Sequence, residues 1–175
     1  MTTIKKLNWL KQQARKIGYI TDPIEGFTIF KSFYSKEKLF LLNESGKVIE
    51  IIICFILGMM QARFHEMSKF FFIEATAELD LKQIDFMLNN IPFQIKFGFD
   101  KSRIEAEREV LNEQNIKVVN IPNCKKDNNN DIIDAICEIL VLSGFSHDEI
   151  EEVIDNDPSL DIAYEIWQWY CKGLY

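Results

Sequence analysis

The sequence contains no C-x-x-C pair. Cys54, Cys124, Cys137 and Cys171 stand far apart, and neither His65 nor His147 sits at ligand spacing from any of them. That distribution argues against a zinc site. The four thiols read as reduced, buried side chains of a cytoplasmic protein, with no secretory leader ahead of them. A glycine-rich phosphate loop is missing too, as is any readable Ser-His-Asp or Cys-His arrangement, so no organic cofactor and no nucleophilic triad is expected. Long hydrophobic runs are lacking. The run Val48–Met60, VIEIIICFILGMM, is 13 residues long and contains Glu50. A membrane span needs about 20 residues, so this run reads as a buried helix and no membrane is expected as a partner.

Excess positive charge is likewise missing. The net charge of −7 argues against a protein that coats nucleic acid by bulk electrostatics. The charge is unevenly spread, however. Residues 1–70 carry eleven basic and six acidic side chains, whereas residues 121–175 carry three and twelve. One end can meet a polyanion where the other cannot.

What is present is core material. The chain has 175 residues, of which 47% are hydrophobic, including 14 Phe and 3 Trp, enough for one domain with a real core. Residues 3–17 repeat Ile4, Leu7, Leu10 and Ala14 at helical spacing, with Lys5, Lys6, Lys11, Arg15 and Lys16 over the remaining surface. This basic helix is either a solvated face or an arm that contacts phosphates. Asp22-Pro23 and Gly26 mark a turn, and residues 27–43 are ambiguous: FTIFKSFY looks like a strand, and KEKLFLLN suits a helical turn. A helix is expected over about 47–63 and a β-rich run over 70–76, then a loop with Glu78 and Asp80. A helix over 100–114 follows, with Asp100 or Ser102 as its cap, then a short buried strand over 116–121. Beyond the polar linker 125–130, helices are expected over 131–143, over 146–155 capped by Ser146, and over 158–172 with Pro158 at the start. Three stretches result: 1–45, a helix and connecting segment; 46–122, a mixed α/β core; and 131–175, an acidic helical extension. The aromatics of the extension suit either packing on the core or a partner surface.

The centre of the chain, Ile84 to Gly98, reads IDFMLNNIPFQIKFG. It alternates apolar and polar residues on both sides of Asn89-Asn90, a pair that suits a two-residue type I′ turn because Asn tolerates positive φ. That turn predicts the register Leu88 to Ile91, Met87 to Pro92, Phe86 to Phe93 and Asp85 to Gln94, continuing as Ile84 to Ile95 and Gln83 to Lys96. One face is then wholly apolar, and the other gathers Gln83, Asp85, Gln94 and Lys96. Carboxylate and amide oxygens side by side suit Mg²⁺, and a lysine beside them can stabilise a phosphoryl oxygen or orient water. The bland alternative is a solvated polar face.

Asp85, a short hairpin, then Gln94-Ile95-Lys96 followed by a helix and a buried strand resembles the PD-(D/E)XK, or restriction-endonuclease-like, superfamily. Its core runs helix, three antiparallel strands, helix, strand, and the resemblance covers about residues 46–121. Ile84 stands where a proline is usual before the aspartate, and Gln94 stands where the second acid is usual. The resemblance implies a mixed α/β sheet flanked by helices and a metal-dependent DNA endonuclease that hydrolyses phosphodiesters. It implies Mg²⁺, or Mn²⁺ in its place, on Asp85 and Gln94, with the Ile95 carbonyl beside them. Lys96 would activate or position the hydrolytic water, and Glu50 on the first core helix would complete the site. An acid early in a helix is also favoured by the macrodipole, so Glu50 has a second explanation. Glu74 is a further candidate whose face the sequence does not fix. Lys101 and Arg103, near the start of the 100–114 helix, are placed to meet a DNA phosphate, although Glu105, Glu107, Glu109 and Glu113 suit an ordinary solvated face. Cutting two strands implies a homodimer. The neutral Gln94 leaves a rival expectation, a non-catalytic binding or regulatory protein on the same fold, and behind it a structural domain with no nucleic-acid role.

Overall fold

A helix that is apolar on every side has to be covered on every side, and the run after Ser45-Gly46 is such a helix. The computed structural model describes residues 28, 30–31, 45–64, 70–74, 77–121 and 131–172. In it α1 spans Ser45–Phe64 and buries ten side chains between Val48 and Met60. One side of α1 lies on the sheet and another on the last helix. In FTIFKSFY, which looks like a strand from its sequence, the described residues Thr28, Phe30 and Lys31 are helical instead. Phe30 is fully buried, edge-on to Phe55 and Trp169. No helix among the described residues is long and apolar enough to cross a membrane.

The strands are β1 (Phe72–Glu74), β2 (Phe86–Leu88), β3 (Ile91–Phe97) and β4 (Lys117–Ile121). They form one four-stranded sheet in the order β1-β2-β3-β4. The first three pair antiparallel, and β4 runs parallel to β3. Between β1 and β2, where a loop was expected, a short helix α2 covers Ala77–Leu81. The parallel step is made by α3, Lys101–Asn112, which Asp100 caps by accepting the Arg103 N–H at 2.8 Å. Asp100, not Ser102, is the cap. Glu105, Glu109 and Glu113 lie exposed on this stretch.

The hairpin has the register its turn predicts over the paired residues. Asn89 and Asn90 take φ of 52° and 67°, and Phe86 pairs with Phe93, Met87 with Pro92 and Leu88 with Ile91. Pro92 sits outside the β3–β4 ladder, which begins at Phe93 opposite Lys117, so its missing N–H breaks no sheet bond. Asn89 also ties the turn to its surroundings: it exchanges hydrogen bonds with the Phe71 main chain, and its amide donates to the Ser143 carbonyl.

Alternation then sorts the two faces of the sheet. Phe72, Phe86, Leu88, Phe93, Ile95, Val119 and Ile121 join α1 in the main core, where the Phe86 and Phe93 rings stack at 5.2 Å. Each such fully buried side chain stabilises the fold by about 1.5–3 kcal/mol, so a one-residue slip of the hairpin is strongly disfavoured. On the opposite face Val118 and Met87 pack with Ile84, Ile104, Leu111 and Ile116 beneath α3. Ile84 was expected on the Phe86 face and lies on the other one, because β2 starts only at Phe86 and the chain before it turns through Gln83 at φ 64°.

The C-terminal helices are α4 (Asp131–Leu142), α5 (His147–Asn156) and α6 (Ser159–Lys172). Helix α4 ends at Gly144, whose φ of 97° suits a residue without Cβ; the Gly144 and Phe145 N–H groups donate back to the Val141 and Leu140 carbonyls. Ser146 caps α5 through the Glu149 N–H. Ile162, Ile166, Trp167 and Tyr170 of α6 are buried in the main core. Cys54 is buried in the main core, and burial, with Asp134 adding to it, pushes the Cys137 thiol up so that it stays protonated.

The outer edge of β4 is closed by a side chain. Arg108 of α3 donates its Nε–H to the Val118 carbonyl and reaches Glu138 of α4 at 3.6 Å. Burial raises the Glu138 carboxyl above its ordinary range, and Arg108 opposes that shift without cancelling it. A carboxyl raised on folding contributes stability that is full below the ordinary glutamate range and is lost as pH rises through the raised value. Glu138→Gln should therefore be at least as stable as wild type in urea unfolding near pH 7, with the comparison shifting toward wild type in mild acid. A wild-type advantage that grows as pH rises would show that the Arg108 pair outweighs desolvation.

Candidate functional site

Strand β2 stops short, and what replaces its next rung defines the site. The Asp85 N–H donates to the Phe93 carbonyl at 2.8 Å, although Phe93 is already the partner of Phe86. Two residues thus address one, a bulge that ends the regular ladder. Asp85 does not pair with Gln94 as the simple register predicts, nor Gln83 with Lys96. Instead the Asp85 carboxylate turns to β3 and accepts the Ile95 N–H through Oδ2 at 2.6 Å. The carboxylate takes the place of a backbone acceptor and is fixed against the Gln94–Ile95 peptide, a charge-assisted bond of the stronger kind.

Gln94 rises from that same peptide on the α3 face, since it is registered with Val118 of the smaller cluster. It is only 9% exposed, and its Oε1 atom is buried without any hydrogen-bond partner. An amide oxygen left so costs about 1–3 kcal/mol, which makes it the most unusual polar atom of the strand. Lys96, registered with Asn120, follows on the same face. Its ammonium lies 5.3 Å from the centroid of the Phe99 ring. The Arg103 guanidinium covers that ring at 3.7 Å. Lys101 is exposed at the first position of α3.

Asp85, the Gln94–Ile95 peptide, Lys96 and Arg103 thus follow one another along β3 into the start of α3. Glu50 is carried separately, on α1 across the other face of the sheet. Because α1 begins at Ser45, Glu50 lies beyond the first turn, and the macrodipole explanation for an acid there weakens. Glu74 is 4% exposed and faces α1, opposite Phe86 on the core side. Among the described residues no three His, Cys, Asp or Glu side chains gather closely enough to hold a metal ion. The basic residues Lys5, Lys6, Lys11, Arg15 and Lys16 lie outside the described residues.

Sequence reasoning passed over Phe99 and Asn120. The Asn120 side chain brackets the Phe99 backbone, donating to its carbonyl at 3.1 Å and accepting its N–H at 3.4 Å. The one signal available was Gly98, which takes φ 71° and turns the chain out of β3. Comparison with known protein families, with curated proteins and with solved structures gives no match to this chain.

The Asp85 carboxylate, the Gln94 amide and the Ile95 carbonyl offer only hard oxygen, the donor type that suits Mg²⁺ or Mn²⁺ rather than a soft metal. In the absence of divalent ions the orphaned oxygen should burden the fold. Gln94→Met, which keeps the volume and removes the acceptor, is expected to raise unfolding stability by about 1 kcal/mol in EDTA, read from the urea midpoint. A loss of stability would show that the Gln94 amide is satisfied in solution.

Proposed function

We propose that the protein is a metal-dependent nuclease that hydrolyses phosphodiester bonds in DNA. The observation that carries this reading is the Asp85 carboxylate held on the N–H of the Gln94–Ile95 peptide, from which Gln94 projects with its unsatisfied, buried oxygen and after which Lys96 follows on the Gln94 face. The strand order supports it: a helix, three antiparallel strands, a helix and a parallel fourth strand are what the PD-(D/E)XK resemblance implies.

Asp85 and Gln94 would hold Mg²⁺ or Mn²⁺, with the Ile95 carbonyl beside them and with water and a substrate phosphate filling the remaining positions. When bound, the ion would supply Lewis-acid stabilisation of the phosphoryl oxygens and activate water. The residues do the rest. The Ile95 N–H fixes the Asp85 carboxylate so that it need not reorganise during reaction. Lys96, on its strand and against Phe99, presents one positive charge where charge develops on the phosphate and orients the attacking water. Glu50 and Glu74 stand on the α1 side of the sheet, opposite Gln94 and Lys96, and have no part in this chemistry. Cutting both strands of a duplex requires two such sites, which a homodimer supplies.

A second reading, a DNA-binding protein of this fold without catalysis, draws on one observation: Gln94 is neutral where a second acid is usual. Two measurements separate the readings. Supercoiled plasmid with Mg²⁺ or Mn²⁺ should be nicked by wild type, and Asp85→Ala and Lys96→Ala should each lower the rate by about 100-fold or more. Calorimetric titration should show a divalent site in wild type that Asp85→Ala abolishes. Metal binding without cleavage of any DNA would favour the non-catalytic reading, and neither would defeat both the metal site and the nuclease.

A further inference from the structure

Two cations sharing one aromatic ring require an explanation. Arg103 and Lys96 lie 3.7 and 5.3 Å from the Phe99 centroid, and neither forms an ion pair with any described residue. The ring's quadrupole attracts each of them, but the two repel one another. An anion between them would turn that repulsion into two charge-assisted hydrogen bonds. The buried, unpartnered Gln94 oxygen lies two residues from Lys96 on the same face of β3, so a divalent ion there and an anion at the ring would be neighbours.

The ring is also held with unusual care for a half-buried side chain. Asn120, beside Lys96 on β4, hydrogen-bonds both main-chain groups of Phe99. The Gly98 N–H is tied to the Ile121 carbonyl at 2.8 Å. One edge of Phe99 packs on the smaller core. Its position is therefore set by the ends of two parallel strands, and it sets in turn where the guanidinium can lie.

We infer that Lys96, Phe99 and Arg103 form a phosphate-binding site for the DNA backbone beside the candidate metal position, with Phe99 and Asn120 as the residues that position Arg103. The identity of the anion as DNA rests on the nuclease reading; the two-cation platform does not. Arg103 supplies a planar fork that suits a phosphate, and stacking removes much of the rotamer freedom it would otherwise lose on binding.

The test is duplex binding by the full chain, followed by fluorescence anisotropy with a labelled oligonucleotide in EDTA across a salt series. Arg103→Ala should weaken binding about 5- to 20-fold and lower the salt slope by about one. Phe99→Leu, which keeps an apolar side chain, should weaken binding several-fold, and Phe99→Tyr, which keeps the ring, should restore it. Phe99→Leu combined with Arg103→Ala should bind no worse than Arg103→Ala alone, because the ring acts through the guanidinium. Asn120→Ala should follow Phe99→Leu. The inference is overturned if wild type ignores duplex, if Arg103→Ala leaves affinity and slope unchanged, or if the Phe99 and Arg103 effects simply add. Loss of plasmid cleavage with this binding pattern intact would remove the nuclease reading alone; intact cleavage with binding insensitive to Arg103 would remove the platform alone.

Discussion

The 2.6 Å hydrogen bond from the Ile95 N–H to the Asp85 carboxylate is the contact on which the candidate site depends. A strand ending inside a sheet leaves its neighbour's N–H groups without acceptors, and a buried donor left so costs about 1–3 kcal/mol. Asp85 meets that need at the end of β2. The same bond fixes a carboxylate against the peptide from which Gln94 projects, so the closing of the ladder and the placing of the charge are one event. An alanine at position 85 would remove both.

The two faces of the sheet divide the labour. Toward α1 the strands present Phe72, Phe86, Phe93, Ile95, Val119 and Ile121, and this face carries most of the buried apolar surface. Toward α3 the apolar cover is smaller, and Gln94, Lys96 and Asn120 interrupt it. A cluster of polar groups under a helix weakens packing there. Compensation comes from directed bonds: Asp100 capping α3, Asn120 bracketing Phe99, and Arg108 closing the edge of β4. Such a division, with one face for stability and one interrupted by polar groups, is the kind of departure from locally optimal choices that functional sites make.

Much of this was legible in the sequence. Asn89-Asn90 announced the turn because both positions need positive φ, and the turn set the pairing from Phe86 to Phe93. The burial of Val48–Met60, the caps Asp100 and Ser146 and the parallel step into β4 followed from patterns that are local along the chain. The bulge at Asp85 was not legible, because alternation assumes that a ladder continues, and whether it does depends on an N–H ten residues away. Ile84 changed face for that reason. The platform at Phe99 was hidden as well: it joins residue 99 to residues 96, 103 and 120 through tertiary contacts that no periodicity encodes. The face of Glu74 became defined only once β1 was registered with β2.

The central claim is that the Asp85 carboxylate and the Gln94 oxygen together hold a divalent ion. It is tested most directly by titrating Mn²⁺ into the ¹⁵N-labelled protein and following paramagnetic broadening of the backbone amide signals. The account predicts that the Asp85, Gln94 and Ile95 signals broaden first in wild type, and that the Gln94 and Ile95 signals stay sharp at the same Mn²⁺ concentration in Asp85→Ala. Sharp signals at these positions in wild type, or broadening there that Asp85→Ala leaves unchanged, would contradict it.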